Sequence, residues 1–157
     1  MNPKPTKGTD VKQQPLDRDL AVLLSDYQVL YMKLRGYHWT VTGPLFFGLH
    51  AKFEELYDDA AEKVDALAER LAARGARPPL TLKEQLGLAR LKEDAGQPSA
   101  NDMVRNVAAD LETLNGSLRA LEKAAESAGD AATQNLAQGY ADGQEKTIWM
   151  LRAFLGA

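Results

Sequence analysis

The chain of 157 residues is 45% hydrophobic and 26% charged, contains no cysteine and carries a formal net charge of -3 at pH 7. This length suits one domain with a sizeable core, and the lack of cysteine excludes disulfides, thiolate metal sites and thiol nucleophiles. No segment approaches the ~20 apolar residues of a membrane helix or the apolar core of a secretory signal, so we expect a cytoplasmic protein without a membrane partner.

The first segment, residues 1–16, contains several prolines and polar residues but no apolar periodicity. This composition predicts a flexible N-terminal tail, followed by a single domain at 17–157. Beyond the tail, apolar side chains recur at spacings of three and four, which is typical of one face of a long helix. The residues predicted to face inward on this first helix are Leu20, Leu24, Tyr27, Tyr31, Leu34, His38 and Val41.

A second long helix is predicted to begin at Pro44, because proline fits the first turn of a helix, and to end at Gly75, which suits a left-handed cap. Thr81 and Glu84 have the spacing of a capping box, which opens a short helix that runs to about Ala89. This short helix lies in the connection to the next long helix. The predicted apolar stripe of the second helix comprises Leu49, Phe53, Leu56, Ala60, Val64, Leu67 and Leu71.

Two further long helices are predicted, capped by Ser99 and Asp130, with Gly129 ending the first of them. Four long helices with a short helix in the crossover between the second and third predict an all-α, ferritin-like four-helix bundle. The third helix is expected to bury Met103, Val107, Leu111, Leu114, Leu118, Leu121 and Ala125. The fourth is expected to bury Leu136, Tyr140, Thr147, Leu151 and Phe154.

The chain has two histidines, His38 and His50, and both lie on predicted helices. Glu54 follows His50 by four residues, and Asp65 and Glu69 repeat that spacing further along the same helix. At ~100° per residue, His50 and the three acids share an arc of about 100° beside the apolar stripe. These residues form the candidate metal site, since a metal in a chain without cysteine needs imidazole and carboxylate ligands.

One chain cannot close this site, because Glu54 and Asp65 are separated by ~16 Å along the helix axis, against metal–ligand bonds of about 2 Å. An antiparallel copy across a two-fold axis would place His50 and Glu54 beside the Asp65 and Glu69 of the other copy. Such ligands suit Fe(II), Zn(II) or Mn(II), of which we favour iron. The alternatives are that His38 is a hydrogen-bonded core residue and that Asp65 and Glu69 are solvated surface charges.

These residues belong to a longer pattern that resembles the ferroxidase signature of the Dps family of miniferritins. The resemblance continues through the closing segment from Ile148 to Ala153 and so spans about 17–157. The signature consists of Tyr37-His38-Trp39, Gly43-Pro44, Phe46-Phe47, Leu49-His50, Phe53-Glu54-Glu55-Leu56-Tyr57, Asp65 and Ala68-Glu69-Arg70.

The resemblance implies a hollow dodecamer with metal sites at its two-fold interfaces. His38, His50 and Glu54 would come from one subunit, and Asp65 and Glu69 from the other. It further implies oxidation of Fe(II), preferably by hydrogen peroxide, storage of Fe(III) mineral and protection of DNA, because both reagents of hydroxyl-radical formation are consumed. Many family members have Asp where this chain has Glu54, so the reach toward the second metal position differs.

Three further roles follow from the resemblance, each with a structural alternative. Glu126 and Asp130, with the uncharged Ala131 and Asn135, fall where the family has a pore through which iron enters, but both acids also suit helix ends. Trp39 beside His38 is a candidate electron donor or an interface aromatic. Candidates for mineral nucleation on an inner surface, or for a solvated outer face, are Glu55, Asp58, Asp59 and Glu62.

Two competing functions share features with this sequence. Classical ferritins build a di-iron site within one subunit from Glu-x-x-His pairs, but Arg35 and Phe47 stand three residues before the histidines. The other alternative is a nucleoid protein that compacts DNA and in which metal chemistry is secondary. Lys4, Lys7 and Lys12 in the tail would then hold phosphates in a weak, salt-sensitive way, although the short length of the tail favours a merely solvated segment.

Overall fold

The computed structural model describes residues 14–157 and contains, in that range, five helices and no strand. They are α1 (Pro15–Thr40), α2 (Phe46–Ala73), α3 (Leu82–Leu88), α4 (Ala100–Ser127) and α5 (Ala131–Phe154). The prediction of an all-α four-helix bundle with a short helix in the crossover is confirmed. Because Pro15 occupies the first turn of α1 and Leu16 is buried, the helix begins two residues before the domain start predicted from the sequence.

Two helical hairpins form the bundle. α1 packs mainly against α2, and α4 against α5, while α1 also contacts α4 and α3. The buried faces of α2 and α4 follow the predicted stripes, except that Val64 is only half-buried. None of the described helices combines the length and the apolar character that crossing a membrane requires.

The helix ends follow local sequence signals. The side chain of Thr81 accepts a hydrogen bond from the backbone N–H of Glu84, whose own side chain completes the predicted capping box of α3. Ser99 caps α4, and Gly75 and Gly129 adopt φ values of 78° and 68° after α2 and α4. These left-handed conformations favour glycine because it lacks a Cβ.

The predicted inward face of α5 was partly wrong. Phe154 is 43% exposed, and Leu136, Tyr140 and Thr147 are only half-buried, although Leu151 is buried as expected. The residues that α5 does bury are Thr133, Ala137, Ala141, Gln144, Ile148 and Leu151. The small alanines allow close approach to α4, and hydrogen bonds compensate the burial of polar side chains on this face.

One of those polar side chains belongs to a chain of hydrogen bonds across the bundle. The Tyr27 hydroxyl donates to Gln144 Oε1, and Gln144 Nε2 donates to Asn115 Oδ1 at 2.8 Å. Asn115 Nδ2 in turn donates to the backbone carbonyl of Ala141 at 3.2 Å. α1, α4 and α5 are therefore joined by satisfied polar contacts in the interior of the bundle, and burial raises the pKa of Tyr27 above its ordinary value.

The crossover is anchored to α1 by a buried carboxylate. Asp26 accepts hydrogen bonds from the backbone N–H groups of Arg90 at 2.6 Å and Leu91 at 2.9 Å. Nearer the end of α1, the Tyr37 hydroxyl donates to Asp94 and accepts from Asn106 Nδ2 at 3.0 Å. These contacts fix the end of α1 on which His38 lies.

Candidate metal centre

The two histidines meet where α1 turns into α2. His38 lies in the last turn of α1 and His50 in the second turn of α2, so the short loop between the helices places them side by side. Their imidazole rings stack with centroids 3.6 Å apart and an interplanar angle of 16°. His38 is buried and His50 is half-buried.

Reciprocal hydrogen bonds fix the tautomer of both rings. Nδ1 of His38 lies 2.7 Å from the backbone carbonyl oxygen of His50, and Nδ1 of His50 lies 2.7 Å from the carbonyl oxygen of His38. A carbonyl oxygen can only accept, so each Nδ1 must carry the proton and donate. In the neutral form of each ring, Nε2 then carries the lone pair with which histidine binds a metal.

Aromatic side chains enclose the pair. The ring of Phe46 stacks on His50 at 5.0 Å between centroids, and Tyr57 meets His38 edge to face at 5.4 Å. The imidazoles are therefore held in orientation by packing as well as by hydrogen bonds, as a pre-organised ligand pair requires.

The acidic candidates lie on the exposed side of α2. Glu54 is one turn after His50, and Tyr57 Oη lies 3.4 Å from its Oε1, a long hydrogen bond. Asp65 and Glu69 are also exposed, further along the helix. Within residues 14–157, no three side chains of the His, Asp and Glu type come close enough to hold a metal ion together. The chain by itself assembles the histidine pair, and the closure of the site by a second subunit stays a prediction.

A cationic aromatic cluster borders the histidines, and the sequence analysis missed it. The guanidinium of Arg35 lies over the rings of Tyr31, Trp39 and Tyr57, at 5.5, 4.9 and 5.8 Å from their centroids. Trp39 itself is 56% exposed. A sequence signal for the cluster does exist. Tyr31, Arg35 and Trp39 are spaced four residues apart along α1, which puts them on one helix face. Partial burial and the Glu54 carboxylate raise the pKa of Tyr57.

The candidate nucleation residues share one exposed face of α2. Asp58 and Glu62 are exposed, whereas Glu55 pairs with Lys52 at 2.6 Å and Asp59 pairs with the buried Lys63. A groove of about 400 Å³ lies between this face and α5, with Glu55 and Asp59 among its walls. Two of the four carboxylates are therefore partly neutralised by lysines.

Asp130 is held as a structural group. Its side chain caps α5 by accepting from the backbone N–H of Thr133 at 3.0 Å, and it pairs with Arg70 at 2.7 Å and with Arg74. Burial alone would raise its pKa, but the hydrogen bonds of Thr133 and the guanidinium of Arg70 hold the pKa well below its usual range. The predicted cap is confirmed. Glu126 is exposed near the end of α4, and the pore role of both acids stays a prediction.

The tail lysines Lys4, Lys7 and Lys12 lie outside the described residues. Trp39 lies next to His38 in the chain and is exposed, and its role as electron donor or interface aromatic stays a prediction. The structure thus brings His38 and His50 together at one end of the α1–α2 hairpin, with Glu54 one turn after His50, and leaves Asp65 and Glu69 further along α2.

Comparison with known proteins places this geometry in a family. The family model of the ferritin-like domain matches residues 19–157. The chain is 44% identical over 140 residues to a DNA protection during starvation protein of Brevibacillus brevis, which covers 87% of this chain and 94% of the relative. A protein of the same name from Porphyromonas gingivalis is 40% identical over 149 residues, covering 93% and 94%. The crystal structure of a Dps protein from Vibrio cholerae O1 superposes with a TM-score of 0.89 at 39% identity and covers 99% of each chain. The chain therefore belongs to the Dps family of ferritin-like proteins.

Proposed function

We propose that this protein is a ferroxidase and iron-storage protein of the cytoplasm that oxidises Fe(II), preferably with hydrogen peroxide. It stores the product as Fe(III) mineral in a hollow dodecamer and thereby protects DNA from oxidative damage. The observation that carries the proposal is the stacked pair of His38 and His50, whose Nε2 lone pairs remain free for a metal. Family membership supports it, since two relatives are named for DNA protection and the Vibrio cholerae O1 structure is described as a ferritin-like diiron-carboxylate protein.

The complete site is shared by two subunits across a two-fold axis. His38, His50 and Glu54 of one subunit face Asp65 and Glu69 of the partner subunit. Exposure supports this arrangement: the three acids lie on the surface of the single chain, and among the described residues none of them is engaged in an ion pair. An isologous contact of this kind produces two identical sites per dimer.

The donor set fits Fe(II) as substrate. Neutral imidazoles and carboxylates suit first-row divalent metals, so Zn²⁺ and Mn²⁺ are expected to compete for the same site. Two Fe(II) ions supply the two electrons that peroxide needs: 2 Fe²⁺ + H₂O₂ + 2 H⁺ → 2 Fe³⁺ + 2 H₂O. Because the electrons balance, no hydroxyl radical is released. The protein contributes ligands of fixed orientation and an aromatic surround that limits the access of water.

Storage requires a path and a surface for iron. The exposed carboxylates of Asp58 and Glu62 are the better nucleation candidates on α2, because Glu55 and Asp59 are paired with lysines. Glu126 is the freer acid for attracting Fe(II) to a pore, because both oxygens of Asp130 are occupied by arginines. Local negative charge at such points raises the concentration of cations.

The test is to add Fe(II) to the anaerobic, metal-free protein and then hydrogen peroxide, following ferric absorbance and hydroxyl-radical yield. In the double variant His38→Ala, His50→Ala, the rate of the fast phase of Fe(II) oxidation is expected to fall by at least about 100-fold while the protein remains oligomeric. Changes of residues around metal ligands already lower metal affinity or activity by about 10- to 100-fold. Asp102→Asn, at the exposed start of α4, is the matched control and keeps the wild-type rate. Equal rates in the wild type and the double variant would make the histidines core residues only.

The alternative function, DNA compaction through the tail, is separated from the first by truncation. A variant that lacks residues 1–13 leaves α1 intact, because the helix begins at Pro15. We expect at most weak binding of DNA by the full chain, lost on truncation and on raising the salt concentration. Tight binding that survives truncation would place the DNA-binding surface on the bundle, and nucleoid association would then outweigh the metal chemistry.

A further inference from the structure

We propose that Lys63 and Asp59 form a site at which Fe(III) and phosphate bind together, the iron on the carboxylate of Asp59 and the phosphate on the ammonium of Lys63. The inference rests on the proposed function, because it concerns the first deposition of the Fe(III) produced there. Its structural basis is a lysine that is buried in the wall of a groove and has an exposed carboxylate as its ion-pair partner.

The groove lies between α2 and α5, on the face of α2 that carries the nucleation candidates. Its volume of about 400 Å³ leaves room for a tetrahedral ion and several waters, each of which occupies about 30 Å³. Gly139 and Gly143, one turn apart on α5, line the groove, and a Cβ at either position would meet no atom within 4 Å. The lack of side chains at these two positions keeps the groove open.

The two members of the ion pair differ in exposure. The side chain of Lys63 is 9% exposed, whereas that of Asp59 is 52% exposed. Asp59 can therefore turn toward a cation in the groove while it remains hydrated. Lys63 would then be left as a buried ammonium without a counter-charge, which is strongly destabilising. Capture of Asp59 by iron thus creates a demand for another anion beside Lys63.

Aromatic rings hold the ammonium of Lys63 in place. Its Nζ lies 5.1 Å from the ring centroid of Tyr140 and 6.0 Å from that of Tyr27, within the range of cation–π contacts. In the part of the chain that the structure describes, Asp59 is the one hydrogen-bond acceptor of an ammonium that has three donors. Burial and the carboxylates of Asp59 and Glu62 raise the pKa of Tyr140, so its hydroxyl in the groove stays protonated and can donate to an oxoanion.

Phosphate is the anion that fits these charges. Fe(III) on one carboxylate keeps an excess of positive charge, which hydrogen phosphate, a dianion with oxygen donors, neutralises while it accepts hydrogen bonds from Lys63. Without iron, the nearby carboxylates of Glu55 and Glu62 repel a phosphate. The two ions therefore bind cooperatively, each raising the affinity for the other by the same factor. Asp59, which its lysine withholds from iron alone, becomes a nucleation ligand when phosphate is present.

Lys52 provides the matched comparison. It pairs with Glu55 on the same helix at 2.6 Å, but Lys52 is only half-buried and Glu55 is exposed. If iron takes Glu55, water can solvate the ammonium of Lys52, and the loss of such a surface pair costs little. Lys52 therefore tests whether any lysine beside the carboxylates is sufficient to bind phosphate.

The experiment adds a few Fe(II) ions per subunit beyond those that fill the ferroxidase sites, then peroxide, with and without inorganic phosphate. After gel filtration, protein-bound iron and phosphorus are measured. The wild-type protein is expected to retain phosphate only when iron is present. The Lys63→Met variant, whose unbranched side chain fits between the same rings, should retain severalfold less phosphate. The Lys63→Arg and Lys52→Met variants should match the wild type.

The fast phase of Fe(II) oxidation, recorded on the same samples, separates the two levels of the proposal. If Lys63→Met keeps the fast phase and retains as much phosphate as the wild type, the Lys63 site is overturned while the ferroxidase function stands. Equal losses of phosphate in Lys52→Met and Lys63→Met, or retention of phosphate by the iron-free wild type, would also overturn the site. If the wild type has no fast phase that depends on His38 and His50, the ferroxidase function is overturned, and the site that receives its Fe(III) falls with it.

Discussion

The turn between α1 and α2 and the turn between α4 and α5 both carry ionisable side chains that the sequence predicts to interact with iron. The histidines of the first turn are predicted metal ligands, and Asp130 of the second is a predicted pore residue. At the first turn, His38 and His50 satisfy each other's backbone through Nδ1 and keep both Nε2 atoms free. At the second, Asp130 gives both of its oxygens to arginines and caps α5. Residue types that can bind metals thus either keep atoms available for a ligand or become structural groups, depending on the hydrogen-bond partners that the neighbouring helices supply.

The largest effect is expected from mixing two inactive variants, which tests whether the candidate metal site at His38 and His50 is shared between subunits. His50→Ala and Asp65→Asn proteins should each have background ferroxidase rates, but co-assembly should restore about a quarter of the sites, because half of random dimers are mixed and each mixed dimer has one intact site. The measurement is the fast phase of Fe(II) oxidation. As the control, His50→Ala mixed with Glu54→Ala should restore nothing, since both changes lie on the same half-site. Recovery in neither mixture would place the site within one chain.

The structural role of Asp130 is tested by the substitution Asp130→Ala. This change leaves Arg70 and Arg74 without their shared carboxylate and α5 without its cap, so we expect the free energy of unfolding to fall by about 3 kcal/mol. Chemical denaturation at fixed protein concentration measures it. Glu126→Ala, at an exposed position, should change stability by no more than about 0.5 kcal/mol. If the two substitutions lowered the free energy of unfolding by similar amounts, Asp130 would contribute no more to stability than the exposed Glu126.

The pH dependence of Asp130 follows from its depressed pKa. A carboxylate whose folded pKa lies below the unfolded value, about 3.9, stabilises the fold above that pH and loses the contribution as the pH falls through the folded pKa. The stability difference between wild type and Asp130→Asn should therefore be constant from about pH 5 to 8 and narrow below about pH 4. Unfolding curves across this range measure it. A difference that widened in acid would mean that the pKa is raised.

The smallest expected effect concerns Glu54→Asp at the open site. The shorter side chain keeps the charge but withdraws from Tyr57 Oη, a contact of 3.4 Å. Loss of so long a hydrogen bond is expected to cost about 0.5 kcal/mol, which corresponds to about a twofold change in Fe(II) affinity. Anaerobic titration with Fe(II) measures it. A change beyond tenfold would show that the length of Glu54 itself positions the second iron.

The sequence by itself determined the helices and most of their caps, and it predicted which residues form the candidate site. Periodicity marked the buried faces of α2 and α4, and Thr81, Ser99 and Asp130 act as the local capping signals predicted. The spacing of His50, Glu54, Asp65 and Glu69 put them on one side of α2, where the structure leaves the three acids exposed. These features depend on residues within a few positions of one another, which is why a sequence pattern contains them.

Only the tertiary structure decided what those residues touch. The tautomers of His38 and His50 depend on carbonyl groups of another helix. The ion pairs that occupy both oxygens of Asp130 depend on arginines about sixty positions away along the chain. The inward face of α5 was likewise set by alanines and by Gln144 hydrogen-bonded to Tyr27, together with Ile148 and Leu151. Its other large apolar residues, such as Phe154, are left partly or largely exposed. Partners distant in sequence are chosen by packing and hydrogen-bond satisfaction across the bundle, and these are determined only once the helices are assembled.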